Sequence, residues 1–162
     1  MTSLGLDRYG ANIPMNVTWV LGWPDGHESG SFLTLDIGGT NLRVCWIILK
    51  EGRGETNVTQ DQYKLPDELK SGTAEELWTF IADSLQGFIE KHDLKGTAEE
   101  PLKLGFTFSY PAHQEHIDHG ELQTWTKGLD IKGVEGHDAA GQLREALEKR
   151  VRVVSFVLVQ CR

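Results

Sequence analysis

The chain has few cysteines, no long hydrophobic run and no dense cluster of basic residues. Its 162 residues include 2 cysteines, Cys45 and Cys161, which lie far apart without the spacing typical of a metal site. The amino terminus lacks the charged and apolar regions of a signal peptide. No apolar stretch reaches the roughly 20 residues that a membrane-spanning helix needs. We therefore expect a protein of the reducing cytoplasm without a membrane partner.

Positive charge is also scarce. The 16 basic residues are outnumbered by 24 acidic ones, which gives a formal net charge of -8 at pH 7. Proteins that bind nucleic acid or anionic membranes need a basic surface, so we expect neither as a partner. The length suits a single domain, which would bury roughly 70% of the surface that its unfolded chain exposes. Small or neutral ligands are the partners that this composition favours.

Near residue 38, a Gly-Gly-Thr-Asn turn separates two apolar runs. Residues Phe32–Ile37 and Leu42–Leu49 have the β-branched, apolar character of strands, so the sequence predicts a hairpin. A glycine backbone can approach an anion closely, and converging backbone N–H groups hold phosphates in this way. An ordinary hairpin, whose glycines serve only the turn, is the alternative. The candidate phosphate-binding residues are Asp36, Gly38, Gly39, Thr40, Asn41 and Arg43.

Two charged residues flank this turn. Asp36 ends the first run, where its carboxylate is suited to hold Mg²⁺ through water and to steer the phosphates that the metal bridges. Arg43 begins the second run and is suited to neutralise charge there or to pair with a neighbouring carboxylate.

The rest of the pattern predicts strands followed by helices. A third strand is expected over Asn57–Leu65, and Thr73 with Glu76 forms a capping box before a helix. Apolar residues at helical spacing form its buried face, and the aromatic ones among them are interpreted as core. These residues are Leu77, Trp78, Ile81, Leu85, Phe88 and Ile89.

Beyond this helix the sequence predicts a strand over Leu102–Ser109 and a hairpin-like stretch up to Trp125. Asp138 is the expected cap of a second helix that runs to about Arg150, although Gly141 weakens that prediction. Val151–Val159 is almost continuously apolar and predicts a buried strand. The order βββαβ(β)αβ indicates an α/β protein with a mixed sheet and flanking helices.

Two further segments carry a resemblance. Leu104–Pro111 reads LGFTFSYP and Leu122–Asp130 reads LQTWTKGLD. In their order and spacing after the Gly-Gly turn, they resemble the Phe-Ser-Phe-Pro and Trp-Thr-Lys-Gly stretches of the hexokinase and glucokinase family, and of its fungal members in particular. Tyr110 stands where phenylalanine is usual. The similarity runs from about Gly5 to roughly Arg150.

The resemblance implies the small lobe of an actin-like, ribonuclease H-like ATPase. It divides the chain into a lead-in over residues 1–31, the small domain over residues 32–150 and a divergent tail over residues 151–162. It further implies ATP with Mg²⁺ at the hairpin and a hexose, glucose above all, at Ser109, Thr126 and Lys127. Lys127 would also support the charge of the transferred phosphoryl group.

In the family, an aspartate in an Asn-Asp-Thr segment accepts the proton of the sugar hydroxyl. Residues 151–162 contain no acidic residue. We therefore expect a truncated homologue whose last twelve residues replace the family's continuation and which is inactive by itself. A non-catalytic protein that binds a hexose, or that associates with a full-length relative as a regulator, is the alternative.

Three histidines lie between the two sugar segments. His113, His116 and His119 are spaced by three residues, with Glu115 and Asp118 among them, so metal capture is conceivable. Such spacing aligns side chains on a helix but not in a loop or hairpin. A solvated polar loop near the sugar site is therefore the favoured interpretation.

Overall fold

The computed structural model describes residues 16, 19, 22–23, 25–50, 55–97, 99–151 and 154–161. The helices of this part are α1 (Ala74–Lys91) and α2 (Ala139–Arg150), with a short 3-10 helix at Glu68–Ser71. The strands are β1 (Gly30–Ile37), β2 (Asn41–Leu49), β3 (Thr56–Lys64), β4 (Leu102–Phe108), β5 (Ala112–His113), β6 (Glu121–Leu122) and β7 (Val154–Cys161).

Five of these strands form one mixed sheet in the order β3-β2-β1-β4-β7. Strands β1, β2 and β3 form an antiparallel meander. Strand β4 pairs parallel with β1, and β7 pairs parallel with β4. Strands β5 and β6 make a separate two-stranded hairpin. The predicted α/β class, mixed sheet and element order are therefore confirmed.

The two faces of the sheet differ in burial. Leu33, Leu35 and Ile37 of β1 alternate with more exposed residues and are completely buried. The helices cover this face, as the Trp78 ring of α1 shows: its centroid lies 6.5 Å from that of Phe106 on β4. The opposite face, which includes Asp36, is only partly buried. The core therefore lies between the sheet and the helices, and the other face is left for a site.

Helix α1 begins as its sequence predicts. The Thr73 side chain accepts a hydrogen bond from the backbone N–H of Glu76, and the Glu76 carboxylate accepts one from the backbone N–H of Thr73. The predicted apolar stripe, including Trp78 and Phe88, is buried. The interpretation of both aromatic residues as core is confirmed.

Helix α2 is also capped as predicted, by Asp138. The structure explains why glycine stands at position 141, the residue that weakened this prediction. A Cβ atom built on Gly141 would lie 2.7 Å from Oδ2 of Asp138, so the glycine leaves room for the capping carboxylate.

The end of the chain differs in detail from its prediction. Val151 caps the end of α2, and strand β7 starts at Val154 rather than at Val151. It lies at one edge of the sheet, next to β4. Among the described residues, no helix has both the length and the apolar character that crossing a bilayer requires.

Candidate functional site

The Gly-Gly-Thr-Asn turn joins β1 to β2. The backbone N–H of Gly38 donates to the carbonyl of Asn41 at 3.0 Å, which closes the turn. The backbone N–H of Leu65, directly after β3, donates to the carbonyl of Thr40 at 2.9 Å. The turn is therefore fixed both within the hairpin and from the neighbouring strand. The predicted hairpin is confirmed.

Four polar residues form a row across the partly exposed face of the sheet, next to this turn. The strand registers pair Gln62 with Arg43, Arg43 with Asp36, and Asp36 with Thr107. The Asp36 carboxylate and the Arg43 guanidinium lie 3.5 Å apart, with side chains that are 42% and 50% exposed. Exposed ion pairs of this kind contribute little stability, so both charges remain available to a ligand.

Three residues of this row, Asp36, Arg43 and Gln62, line a shallow pocket of about 240 Å³ together with the turn. Sequence reasoning missed Gln62, although most side chains of β3 are exposed and the position of Gln62 opposite Arg43 follows from the meander. The lining residues are Asp36, Gly38, Gly39, Thr40, Asn41, Arg43 and Gln62. The pocket therefore contains all six residues predicted to bind phosphate.

This pocket suits a hydrated magnesium ion. Mg²⁺ is usually held by one or two carboxylates and by substrate phosphates, and it keeps several of its waters. Asp36 supplies one partly exposed carboxylate, and its half-exposed partner Arg43 supplies a positive charge for phosphate. The residues present therefore fit Mg²⁺ bound through water together with a phosphate ligand.

The second candidate cluster is centred on an exposed turn at Lys127. The backbone N–H of Leu129 donates to the carbonyl of Thr126 at 3.2 Å. The two residues in the middle of this turn, Lys127 and Gly128, both have positive φ, of 56° and 79°. The left-handed region is sparsely populated by residues other than glycine, and such residues cluster at functional sites.

The Lys127 side chain reaches back to the end of β4. Its ammonium donates to the backbone carbonyl of Ser109 at 2.7 Å and lies 4.9 Å from the centroid of the Tyr110 ring. One of the three ammonium hydrogens is used in this hydrogen bond. The structure thus brings together Ser109, Thr126 and Lys127, the three residues that the resemblance assigns to the sugar.

Two aromatic side chains, Trp125 and Tyr110, lie beneath this cluster. Trp125 donates through its indole N–H to the carbonyl of Ile131 at 2.8 Å, and its ring lies edge-on to that of Tyr110, with centroids 4.8 Å apart. The Tyr110 hydroxyl is buried without a hydrogen-bond partner among the described residues. Burial, together with the nearby charge of Asp36, raises the pKa of Tyr110 to about 12. Tyr110 therefore carries a neutral phenol between the two clusters.

The hairpin turn and the lysine turn touch each other. A Cβ atom built on Gly39 would lie 2.7 Å from the carbonyl oxygen of Lys127 and 2.8 Å from its Cβ. Only a residue without a side chain allows this approach. The two candidate clusters therefore form one continuous surface.

The three histidines do not form a metal site. The rings of His116 and His119 are stacked, with centroids 5.1 Å apart, and His116 lies 3.4 Å from the Asp118 carboxylate. In the part of the chain that the structure describes, no group of three or more His, Cys, Asp or Glu side chains could hold a metal ion. The histidine side chains are exposed or partly exposed, as the polar-loop interpretation expects, whereas Gln114 in the same segment is buried.

Comparison with known proteins places this surface in context. A family model described as Hexokinase matches residues 1–160. Hexokinase from Emericella nidulans is 56% identical over 146 residues, which cover 90% of this chain, and Hexokinase-1 from Saccharomyces cerevisiae is 48% identical over 154 residues, which cover 94%. The chain spans about 30% of the length of these curated relatives.

Solved structures agree in fold. The hexokinase of Schistosoma mansoni, complexed with glucose, superposes with a TM-score of 0.80 at 38% identity, over 91% of this chain and 32% of that one. A second structure, described as hexokinase, gives a TM-score of 0.77 at 28% identity, over 85% of this chain and 32% of that one.

Proposed function

The chain belongs to the hexokinase family, and from this premise we propose that it carries the phosphate-binding hairpin and part of the sugar site of an ATP:hexose phosphotransferase. The observation that carries the proposal is the contact between Gly39 and the turn at Lys127. A phosphoryl donor and its acceptor must meet within a few ångströms, and this contact joins the two candidate clusters.

ATP, with Mg²⁺, is the proposed ligand of the hairpin. The backbone around Gly38 and Gly39 approaches the phosphates, and Arg43 neutralises part of their charge. Thr40 and Asn41 supply a hydroxyl and an amide, and Asp36 holds the metal through water. The pocket that these residues line, with its partly exposed ion pair, supports this assignment.

A hexose, most simply glucose, is the proposed ligand of the second cluster, which consists of Ser109, Thr126 and Lys127 and is called the sugar cluster below. The hydroxyls of Ser109 and Thr126 can donate or accept hydrogen bonds, and the Lys127 ammonium has hydrogens beyond the one that Ser109 uses. The glucose in the structure of the Schistosoma mansoni relative supports the choice of sugar. In the transfer step, the sugar 6-hydroxyl attacks the γ-phosphorus, ADP leaves, and Lys127 stabilises the transferred group.

The proton of that hydroxyl needs a carboxylate acceptor, and residues 151–162, which follow α2, contain no acidic residue. We expect the polypeptide of residues 1–162 to bind hexose and Mg-ATP with little or no turnover.

Residues 1–31 are assigned as a lead-in, residues 32–150 as the small domain and residues 151–162 as a divergent segment. The reaction belongs to glycolysis in the cytoplasm, where the free thiol of Cys45 is stable.

The test is a glucose titration followed by tryptophan fluorescence, because Trp125 lies under the sugar cluster. We expect a saturable change. Replacing Thr126 with valine removes one hydroxyl and should raise the glucose Kd about tenfold, since an unpaired polar group costs about 1 to 3 kcal/mol. The matched control is Thr124→Val, which changes an exposed threonine on the same segment.

A coupled assay with glucose and Mg-ATP tests whether residues 1–162 catalyse phosphoryl transfer. Glucose binding without turnover agrees with a chain that lacks the proton acceptor and also with a non-catalytic regulator that associates with a full-length relative. Turnover at rates of many events per second would show that another carboxylate accepts the proton. A chain that binds neither glucose nor Mg-ATP would contradict the proposal.

A further inference from the structure

The phosphate hairpin approaches the sugar cluster closely at Gly39. Gly39 is not in the left-handed region, so its backbone conformation alone does not require glycine. What requires glycine is space, because a Cβ atom there would lie 2.7 Å from the carbonyl oxygen of Lys127. Its neighbour Gly38 differs, since a Cβ atom there would lie no closer than 3.7 Å, to the carbonyl oxygen of Asn41.

Lys127 is the residue that this contact fixes. Its φ of 56° is unfavourable for a residue with a side chain. It is held by the turn hydrogen bond from Leu129 to Thr126, by the hydrogen bond of its ammonium to the Ser109 carbonyl and by the Tyr110 ring beneath that ammonium. The backbone of Lys127 also abuts Gly39. The direction of the ammonium therefore depends on a contact outside the sugar cluster.

We propose that Gly39 is a positioning residue for hexose binding. Because Gly39 has no side chain, the left-handed turn at Lys127 packs against it, and this packing orients the Lys127 ammonium toward the sugar. The inference rests on the proposed function, and it gives one hairpin glycine a role at the sugar rather than at the phosphates. A methyl group at Gly39 would push the Lys127 carbonyl away. The turn would then rotate, and its ammonium would move from its place on Ser109.

The first test is a glucose titration without nucleotide, so that no phosphate ligand takes part. We expect Gly39→Ala to raise the glucose Kd at least tenfold. Gly87→Ala adds the same methyl group on the exposed side of α1, where a Cβ atom would meet nothing within 4 Å, and its glucose Kd should stay within about twofold of the unmodified chain. Equal effects of the two variants would overturn the inference.

A double-mutant cycle tests whether the effect passes through Lys127. Lys127→Ala removes the ammonium and should itself weaken glucose binding. In that background, Gly39→Ala has no ammonium left to misplace, so its further effect on the glucose Kd should be less than about twofold. If the tenfold effect of Gly39→Ala persists without the ammonium, Gly39 acts on the fold and not through Lys127.

A measurement on the unmodified chain covers the case in which Gly39→Ala does not fold. If the Lys127 turn packs stably against the hairpin, the backbone amide of Leu129 should be protected from hydrogen exchange to a degree similar to that of the Gly38 amide. Exchange of Leu129 at the rate of an open loop, with Gly38 protected, would overturn the inference. Failure of the unmodified chain to bind glucose would instead count against the proposed function.

Discussion

At the scale of single residues, the Tyr110 hydroxyl stands out because it lies in the core without a partner. It is the one buried side-chain polar atom in the described part of the chain for which no hydrogen bond is found. Its ring contributes to the core through Phe108 and Trp125, at centroid distances of 5.0 and 4.8 Å. The ring is therefore stabilising, whereas the hydroxyl carries a desolvation cost.

The replacement Tyr110→Phe keeps the ring and removes the unpaired hydroxyl. We expect the free energy of unfolding at pH 7 to rise by about 1 kcal/mol, because an unsatisfied buried polar group costs about 1 to 3 kcal/mol. Urea unfolding measures the change. Tyr63→Phe is the control, since Tyr63 is only partly buried and should change stability little. A lower stability of Tyr110→Phe would mean that a water molecule pairs with the hydroxyl.

The same residue predicts a dependence on alkaline pH. Burial and the charge of Asp36 raise the pKa of Tyr110 to about 12 in the folded state, against about 10 in an unfolded chain. The unfolded state therefore releases its proton first, and stability falls as pH rises from about 10 towards 12. The stability advantage of Tyr110→Phe should widen over this range. An advantage that is the same at pH 8 and pH 11 would contradict the assignment.

At the scale of secondary-structure elements, the sequence patterns predicted what local chemistry controls. The capping box of α1, its apolar stripe and the Gly-Gly hairpin all depend on residues close in the chain, and all are observed. Contacts between residues that are distant in sequence were not predicted. The position of Gln62 opposite Arg43 depends on strand register, and the approach of Gly39 to Lys127 depends on packing between two turns that are distant in sequence. No pattern of neighbouring residues predicts either the Gln62–Arg43 pairing or the Gly39–Lys127 contact.

The cap of α2 joins that helix to the small hairpin. Oδ1 of Asp138 accepts from the backbone N–H of Ala140 at 3.1 Å and from that of Gly120, just before β6, at 2.9 Å. We expect Asp138→Ala to lower the free energy of unfolding by about 1 to 2 kcal/mol, because it removes both hydrogen bonds. Asp138→Asn keeps an acceptor and should lose less. Equal losses in urea unfolding would show that the charge, not the cap, matters.

Edge strand β3 is attached to the end of α1 by an ion pair. The Asp61 carboxylate lies 2.8 Å from the Lys91 ammonium and 3.1 Å from Nε2 of His92. The hydrogen bond from Lys91 is the main cause that holds the pKa of Asp61 below its usual range. Its stabilising effect is therefore present above the ordinary carboxyl pKa and is lost as pH falls through the lower, folded-state value.

We therefore expect Asp61→Asn to lower the Tm at pH 7, with a difference from the unmodified chain that shrinks as pH falls below about 4. Thermal unfolding at several pH values measures both. The control is Asp93→Asn, because the ion pair of Asp93 with Lys95 is more than 80% exposed on both sides and should contribute little. A difference that does not change with pH would mean that Asp61 acts without its charge.

At the scale of the whole molecule, aromatic rings connect the helix layer to the sugar cluster. The rings of Trp78 on α1 and Phe108 on β4 lie 6.4 Å apart, and Phe108 is 6.0 Å from Trp125. Tyr110 completes the connection beneath the Lys127 ammonium. The candidate site therefore lies on the same core that holds the sheet and the helices together, instead of on an independent loop.

This connection predicts that the core and the site unfold together. The chain has 5 tryptophans, so the test uses two variants in which all but one are replaced by phenylalanine. In urea, the fluorescence of the variant that keeps Trp78 should change at the same midpoint as that of the variant that keeps Trp125, once each is compared with its own circular dichroism. The described part of the chain forms one buried cluster from α1 to the Trp125 segment, and small single-core domains unfold cooperatively. A Trp125 signal that changes well before the loss of helix would show that the sugar cluster opens separately, and the packing at Gly39 would then be too weak to position Lys127.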